Sequence, residues 1–252
     1  MRLPIFILIL VSGLAFFGQE LKAQDNFREE YSVDSVIYKH TLDGGIIFHN
    51  RGFGIQFSKG KNLTSRKNYF YEASLVNVKS PKQIRSINPY YPNSKSFVYG
   101  KLNEFFVLRG GLGYSHVLNR KPYWGGVELR IHYSGGVSLG LAKPVYFYVN
   151  KSATSNTYET QQFEEGLYIY ELVGRAPFTK GFGEMGFHPG IYLKGGISFE
   201  FGPVKSKINA MEMGALIDFF VNQVHLMADN NPKNIFFGFY LSYNFGKRYN
   251  IY

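Results

Sequence analysis

Three stretches of this chain carry residue types and spacings that could do chemistry. His132 and Ser134 stand two apart in LRIHYS. On an extended strand, residues two apart share a face, so an imidazole could activate the hydroxyl there as a nucleophile. GFGEMG, Gly181 to Gly186, has the spacing G-x-G-x-x-G. Dinucleotide binding needs a buried strand before that motif and a helix after it. No buried strand precedes it, and Pro189 stands where the helix should run, so it reads as a glycine-rich loop. GIQFSKGK, Gly54 to Lys61, has the glycines and lysine of a phosphate loop at the wrong spacing, and Asn62 replaces the hydroxyl that would hold magnesium. The six His (40, 49, 116, 132, 188 and 225) show no paired ligand spacing, and the chain has no Cys. Thiolate metal sites, disulfides, a Cys nucleophile and a lipoprotein anchor are therefore excluded, and no metal or cofactor is expected.

A larger set is electrostatic. Glu72, Arg109, Glu128, Arg130, His132, Lys194, Glu200, Glu212 and Asp218 each fall on the polar side of an alternating apolar segment. Isolated charges could not stay in a dry interior, but paired ones could. The expectation is a salt-bridged plug without an open pore; a gated ion path is the alternative.

The elements that would position these residues are strands. The chain nearly ends with FFGFYLSYNF. Phe237, Phe239, Leu241, Tyr243 and Phe245 fall on one face, and Phe236, Gly238, Tyr240, Ser242 and Asn244 on the other. The same alternation recurs in about eight segments: Gly45 to Ser58, Asn68 to Asn77, Asn103 to Leu118, Trp124 to Tyr133, Val137 to Val149, Ile191 to Phe201, Ile208 to Val221 and the last strand. A period of two sustained over about ten residues matches a tilted strand crossing a membrane. The fold expected is all-β: an eight-stranded antiparallel transmembrane up-and-down β-barrel with a filled lumen. A soluble barrel or sandwich is the alternative. In the barrel, lipid covers the greasy face of each strand, and closure satisfies the backbone hydrogen bonds that lipid cannot.

Composition agrees. Of 252 residues, 20 are Tyr, 24 Phe and 28 Gly, with a single Trp. Aromatics fit a pleated surface and Gly weakens helices. The net charge of +10 is scattered rather than gathered in one stripe, so no nucleic-acid partner is expected. The chain opens MRLPIFILILVSGLAFFGQELKAQ. Arg2, an apolar run of about 14 residues and Leu21-Lys22-Ala23 read as a secretory signal peptide expected to be cleaved near Gln24, with an uncleaved anchor helix as the alternative. The expected organisation is a signal peptide at 1–23, a flexible periplasmic segment at 24–43, and an outer-membrane barrel at 44–252. Entry from the periplasm makes connection 79–101 a long periplasmic segment and 150–190 a long extracellular loop. It also makes Ser134-Gly135-Gly136 a tight periplasmic turn and puts Lys59, Lys61, Arg66 and Lys67 in an outer loop against anionic lipid headgroups.

The His132/Ser134 pair resembles the His-x-Ser of outer-membrane lipid A deacylases, eight-stranded barrels that cut an acyl ester. Here Gly135-Gly136 follow, where that family has an Asn-Ala pair, and both residues point to the lumen. A wider resemblance is carried by GGIIFHNRGFGIQFSKGKNLTSRKNYFYEASLVNVKSPKQIR, SKSFVYGKLNEFFVLRGGLGY and YSGGVSLGLAKPVYFYV. These blocks resemble a family of small outer-membrane β-barrels from Bacteroidota, similar to the accessory barrels of that phylum's outer-membrane insertion and type 9 secretion machinery. Asp34-Ser35-Val36 also looks like the O-glycosylation sequon used by exported proteins there. The resemblance implies a non-enzymatic structural or accessory subunit of an envelope assembly or secretion complex in the cell outer membrane. Its expected partners are outer-membrane lipids, an envelope protein, and the insertion machinery, to which the outward row Phe237 to Phe245 would serve as C-terminal signal. Two other functions stay open: a lipid A-modifying esterase using His132 and Ser134, and a narrow channel.

Overall fold

The structure, a computed structural model, describes residues 38–91, 94–120, 126–150, 158–164, 167–202, 204, 206–228 and 230–250. The signal peptide, most of segment 24–43 and Asp34-Ser35-Val36 lie outside the described residues. His40 to Asp43, expected within that flexible segment, instead open the first barrel strand.

Eight antiparallel strands close a barrel in the order β1-β13-β12-β11-β7-β6-β3-β2. They are β1 (His40–His49), β2 (Gly52–Asn62), β3 (Lys67–Val78), β6 (Asn103–Asn119), β7 (Glu128–Pro144), β11 (Gly186–Glu200), β12 (Lys207–Val224) and β13 (Lys233–Tyr249). Closure comes from β1 against β13, with His40 opposite Tyr249 and His49 opposite Tyr240. The outward faces are apolar and exposed: Phe53, Ile55 and Phe57 on β2, Leu193 on β11, Val221 on β12, Phe239 on β13. A closed barrel with an apolar outer wall is the arrangement of an outer-membrane barrel, since its backbone is paired throughout and its apolar area needs lipid. Among the described residues no helix is long and apolar enough to cross a membrane; the crossing is made by strands.

Two strand boundaries differ from expectation, and they change the topology. The segment read as one strand from Gly45 to Ser58 is two, joined at Asn50 and Arg51. A hairpin that short leaves the alternation almost unbroken. Conversely, Gly135 and Gly136 are no turn but lie inside a continuous β7, paired with β6 and β11. These glycines mark close approach rather than a bend. Gly111, Gly136 and the inward Tyr192 stand side by side on β6, β7 and β11. A Cβ on Gly111 would strike the Tyr192 hydroxyl. Gly196, Gly214 and Tyr240 repeat the device on β11, β12 and β13, a Cβ on Gly196 meeting the Tyr240 hydroxyl. Each pair of glycines leaves room for one tyrosine to lie along the inner wall over the two neighbouring strands.

With the strands recounted, β1 begins and β13 ends at the same end of the barrel. That end also carries the connections 63–66, 120–127 and 201–206. The connections 79–102 and 145–185 both leave the opposite end. The expected split, with 79–101 periplasmic and 150–190 extracellular, is therefore corrected: they share one side. Lys59, Lys61, Arg66 and Lys67 lie at the end with the termini, opposite the long connections, and not in a loop on their side.

The long connections fold together as a cap. Val145 ends β7's run, so Tyr146 to Val149 belong to the cap rather than to a barrel strand. These residues form β8, which pairs with β9 (Glu159–Gln162) and β10 (Leu172–Arg175). From the other connection, β4 (Arg85–Ser86) pairs with β5 (Phe97–Val98). Phe97, Val145, Phe147, Val149, Phe163, Leu167 and Leu172 make a hydrophobic core of their own. Asn88 Nδ2 donates to the carbonyls of Ile169, Tyr170 and Leu172 at 3.1, 3.3 and 2.7 Å. Ser94 Oγ donates to Val173 O and Tyr99 OH to Leu167 O. GFGEMG lies at the foot of the cap, its Phe182–Glu184 forming a 3-10 turn.

Candidate functional site: the filled lumen and the cap

The lumen is layered along the barrel axis. Nearest the cap, Phe105, Phe220 and Phe236 close it, with ring centroids 5.3 to 5.7 Å apart. Ile47, Val76, Val107 and Leu216 join them in one buried cluster. An aromatic layer packed this way admits no water-filled path.

Below it, Arg109 and Asp218 face each other as a fork. Nε and Nη2 of Arg109 donate to the two Asp218 oxygens at 2.8 Å each. Both side chains are 2% exposed. The bidentate geometry is what lets two charges share a dry interior.

The next layer centres on Lys194. Its Nζ lies 3.4 Å from Glu72 and 3.3 Å from Glu212, and it donates to Gln56 at 3.3 Å. Each carboxylate has further donors. Tyr192 OH and Ser134 Oγ donate to Glu72 at 2.7 and 2.6 Å. Tyr240 OH and Asn244 Nδ2 donate to Glu212 at 2.5 and 3.3 Å. The Lys194 ammonium also sits 4.9 Å from the centre of the Tyr240 ring.

The last layer, toward the termini, holds Glu128, Arg130, Glu200 and Arg248. Arg130 Nε donates to Glu128 at 2.6 Å and lies 3.7 Å from Glu200. Arg248 also pairs with Glu200. A cavity of about 60 Å³ borders Asp43, Gln56 and His132 here, room for about two waters. Thus Glu72, Arg109, Glu128, Arg130, Lys194, Glu200, Glu212 and Asp218 all point inward and all stand in ion pairs, in three groups rather than one network.

The possible nucleophile stands inside this lumen. Ser134 is spent as a donor to Glu72. His132 Nε2 lies 3.5 Å from Ser115 Oγ, and its ring is tilted against Phe70 at 5.8 Å. The pair shares a face, as alternation requires, but the hydrogen bonds of the two residues go elsewhere.

Sequence reasoning missed Asp43, Tyr192 and Arg248. Asp43, hydrogen-bonded by Ser58, fell in the segment read as flexible. Arg248 fell in a basic tail; β13 runs on to Tyr249. An inward tyrosine looks in sequence like any aromatic, and its partnering glycines, Gly111 with Gly136 and Gly196 with Gly214, were the only signal for it. On β13, Phe237, Phe239, Leu241, Tyr243 and Phe245 all point outward and are exposed.

At the barrel mouth the chemistry changes sign. Glu104, buried at the start of β6, lies 2.8 Å from Arg175, 3.6 Å from Lys101 and 3.7 Å from Lys143. Burial holds the Lys101 ammonium below the usual lysine range; Glu104 opposes this, and Arg175 and Lys79 add to it. Lys143 is further fixed by the carbonyls of Phe178 and Lys180 at 3.0 and 3.2 Å.

No protein-family model matches the chain, and no curated protein matches it. Among solved structures, Neisserial surface protein A is similar at 8% identity and a TM-score of 0.40, covering 84% of this chain and 97% of its own. Ail, the attachment invasion locus protein of Yersinia pestis, is similar at 9% identity and a TM-score of 0.40, covering 84% and 99%. Likeness at this level bears on neither activity nor partners.

Proposed function

We propose that this protein is a non-enzymatic outer-membrane anchor, a structural or accessory subunit of an envelope assembly or secretion complex, whose working surface is the cap. Outer-membrane barrels join their strands by short turns on the periplasmic side and longer loops outside. The cap then faces outward, and the termini face the periplasm. The observation that carries the proposal is the cap itself. It has its own hydrophobic core, yet it exposes Ile84, Ile87, Tyr90, Tyr168 and Tyr170, at 75%, 65%, 75%, 60% and 53%. Asn88 joins the two connections between these residues, and Tyr168 stacks on Tyr170 at 5.3 Å. Apolar and aromatic side chains grouped on an ordered surface mark a protein-binding site. The sealed lumen supports anchoring rather than conduction. On the lipid side, the outward row of β13 is the surface we assign to recognition during insertion.

The test is a gentle-detergent pull-down of the tagged protein from its native outer membrane, read by mass spectrometry. A reproducible envelope protein is expected to co-purify, and to be lost when Ile84, Ile87 and Tyr90 are each changed to Ser while the barrel still folds. Recovery of the wild-type barrel alone would remove the accessory-subunit reading.

A further inference from the structure

We infer that the cleft between the barrel rim and the cap binds an anionic ligand that carries a phosphate group. The cleft is a cavity of about 570 Å³, within the range of small-molecule sites. Its lining brings together five cations, Arg51, Lys79, Arg85, Lys101 and Arg175, against one carboxylate, Glu104. They come from three places: the β1–β2 hairpin, connection 79–102 and β10. Glu104 is already shared among Arg175, Lys101 and, from behind, Lys143, so it cannot neutralise the others.

Arg51, Lys101 and Arg175 are held rather than waving in solvent. Lys101 is 8% exposed, and its backbone bridges to Met227. The guanidinium of Arg51 sits 5.5 Å from the centre of the Phe236 ring. The nearby Lys79 and Arg85 are exposed and make no ion pair with a described residue. Like charges fixed around a concave, partly dry site repel one another unless an anion occupies it, and the same walls focus the field that draws one in. Several separate cations favour a ligand with more than one negative charge, and guanidinium forks match the oxygens of phosphate. Phe97, Val145 and Phe147 line the same cavity and give it an apolar back wall. A phosphorylated sugar has this combination of charge and bulk. It could come from a lipid headgroup or from a soluble compound.

The test is calorimetric titration of the full-length barrel in neutral detergent with inorganic pyrophosphate. Saturable binding is expected. It should weaken about tenfold or more when Lys79 and Arg85 are both changed to Ala, with the thermal midpoint of the unliganded protein not lowered. Neither side chain has a described hydrogen bond, so this variant should keep its fold. Displacement of pyrophosphate by phosphorylated lipid A in mixed micelles, and not by dephosphorylated lipid A, would assign the site to a lipid headgroup. Binding that lipid A does not displace would assign it to a soluble phosphate compound. The inference is overturned by no binding of pyrophosphate, by equal binding in the variant, or by acetate competing as well as pyrophosphate does.

Discussion

Lys194 holds two carboxylates at once, so the loss of Glu72 or Glu212 alone would leave it a partner. Arg109 and Asp218 have no such reserve, since each is the other's ion pair and both are buried. Truncating one partner of a buried pair strands the other charge, which costs about 3–5 kcal/mol. Arg109→Ala should therefore lower barrel stability by about that amount, read as a fall in the urea midpoint of the protein refolded in lipid vesicles. The double variant Arg109→Met/Asp218→Leu should recover most of the loss, because no charge is left unpaired. A double variant as unstable as the single one would show that packing rather than charge sets the effect. At this scale much was legible. Alternation alone put the charged residues on the lumen face, because a period of two is independent of which strands are neighbours. The pairing was not legible. Arg109 on β6 meets Asp218 on β12 across the lumen, and only the closed register of the whole barrel makes them partners.

The strands with the cleanest alternation, β11, β12 and β13, could be read in their central parts, and each extends three to five residues beyond at least one end of the alternating segment. Misreadings arose where glycine serves two purposes. Gly135 and Gly136 look like a turn, yet both lie inside β7, Gly136 beside the inward Tyr192 and Gly135 beside the outward Leu193. The cap was hidden for another reason. Its strands, β4, β5, β8, β9 and β10, are two to four residues long, too short for any period to show. Its order rests on side-chain contacts between distant segments, foremost Asn88, which serves three carbonyls. Asn88→Ala would leave those carbonyls short of a donor, at a cost of about 1–3 kcal/mol. Amide hydrogen exchange should then speed up in residues 167–175 and 94–99 while the barrel strands stay protected. Unchanged exchange in the cap would mean that its hydrophobic core alone holds it.

The described residues form a closed barrel with a folded cap at one end. Its aromatic layer and three ion-paired layers fill the interior, while the outer wall is left to lipid. The lumen is taken up by side chains, and the surfaces we propose for binding lie on the cap and at its base. The role proposed for the cap depends on which side of the membrane it faces. The chain has no cysteine, so single cysteines report position cleanly. Tyr90→Cys on the cap and Thr64→Cys in the β2–β3 turn should be treated on intact cells with a membrane-impermeant maleimide. Labelling of position 90 on intact cells, with position 64 labelled only after the outer membrane is opened, is the predicted result. Labelling of position 64 alone on intact cells would invert the topology and contradict the account.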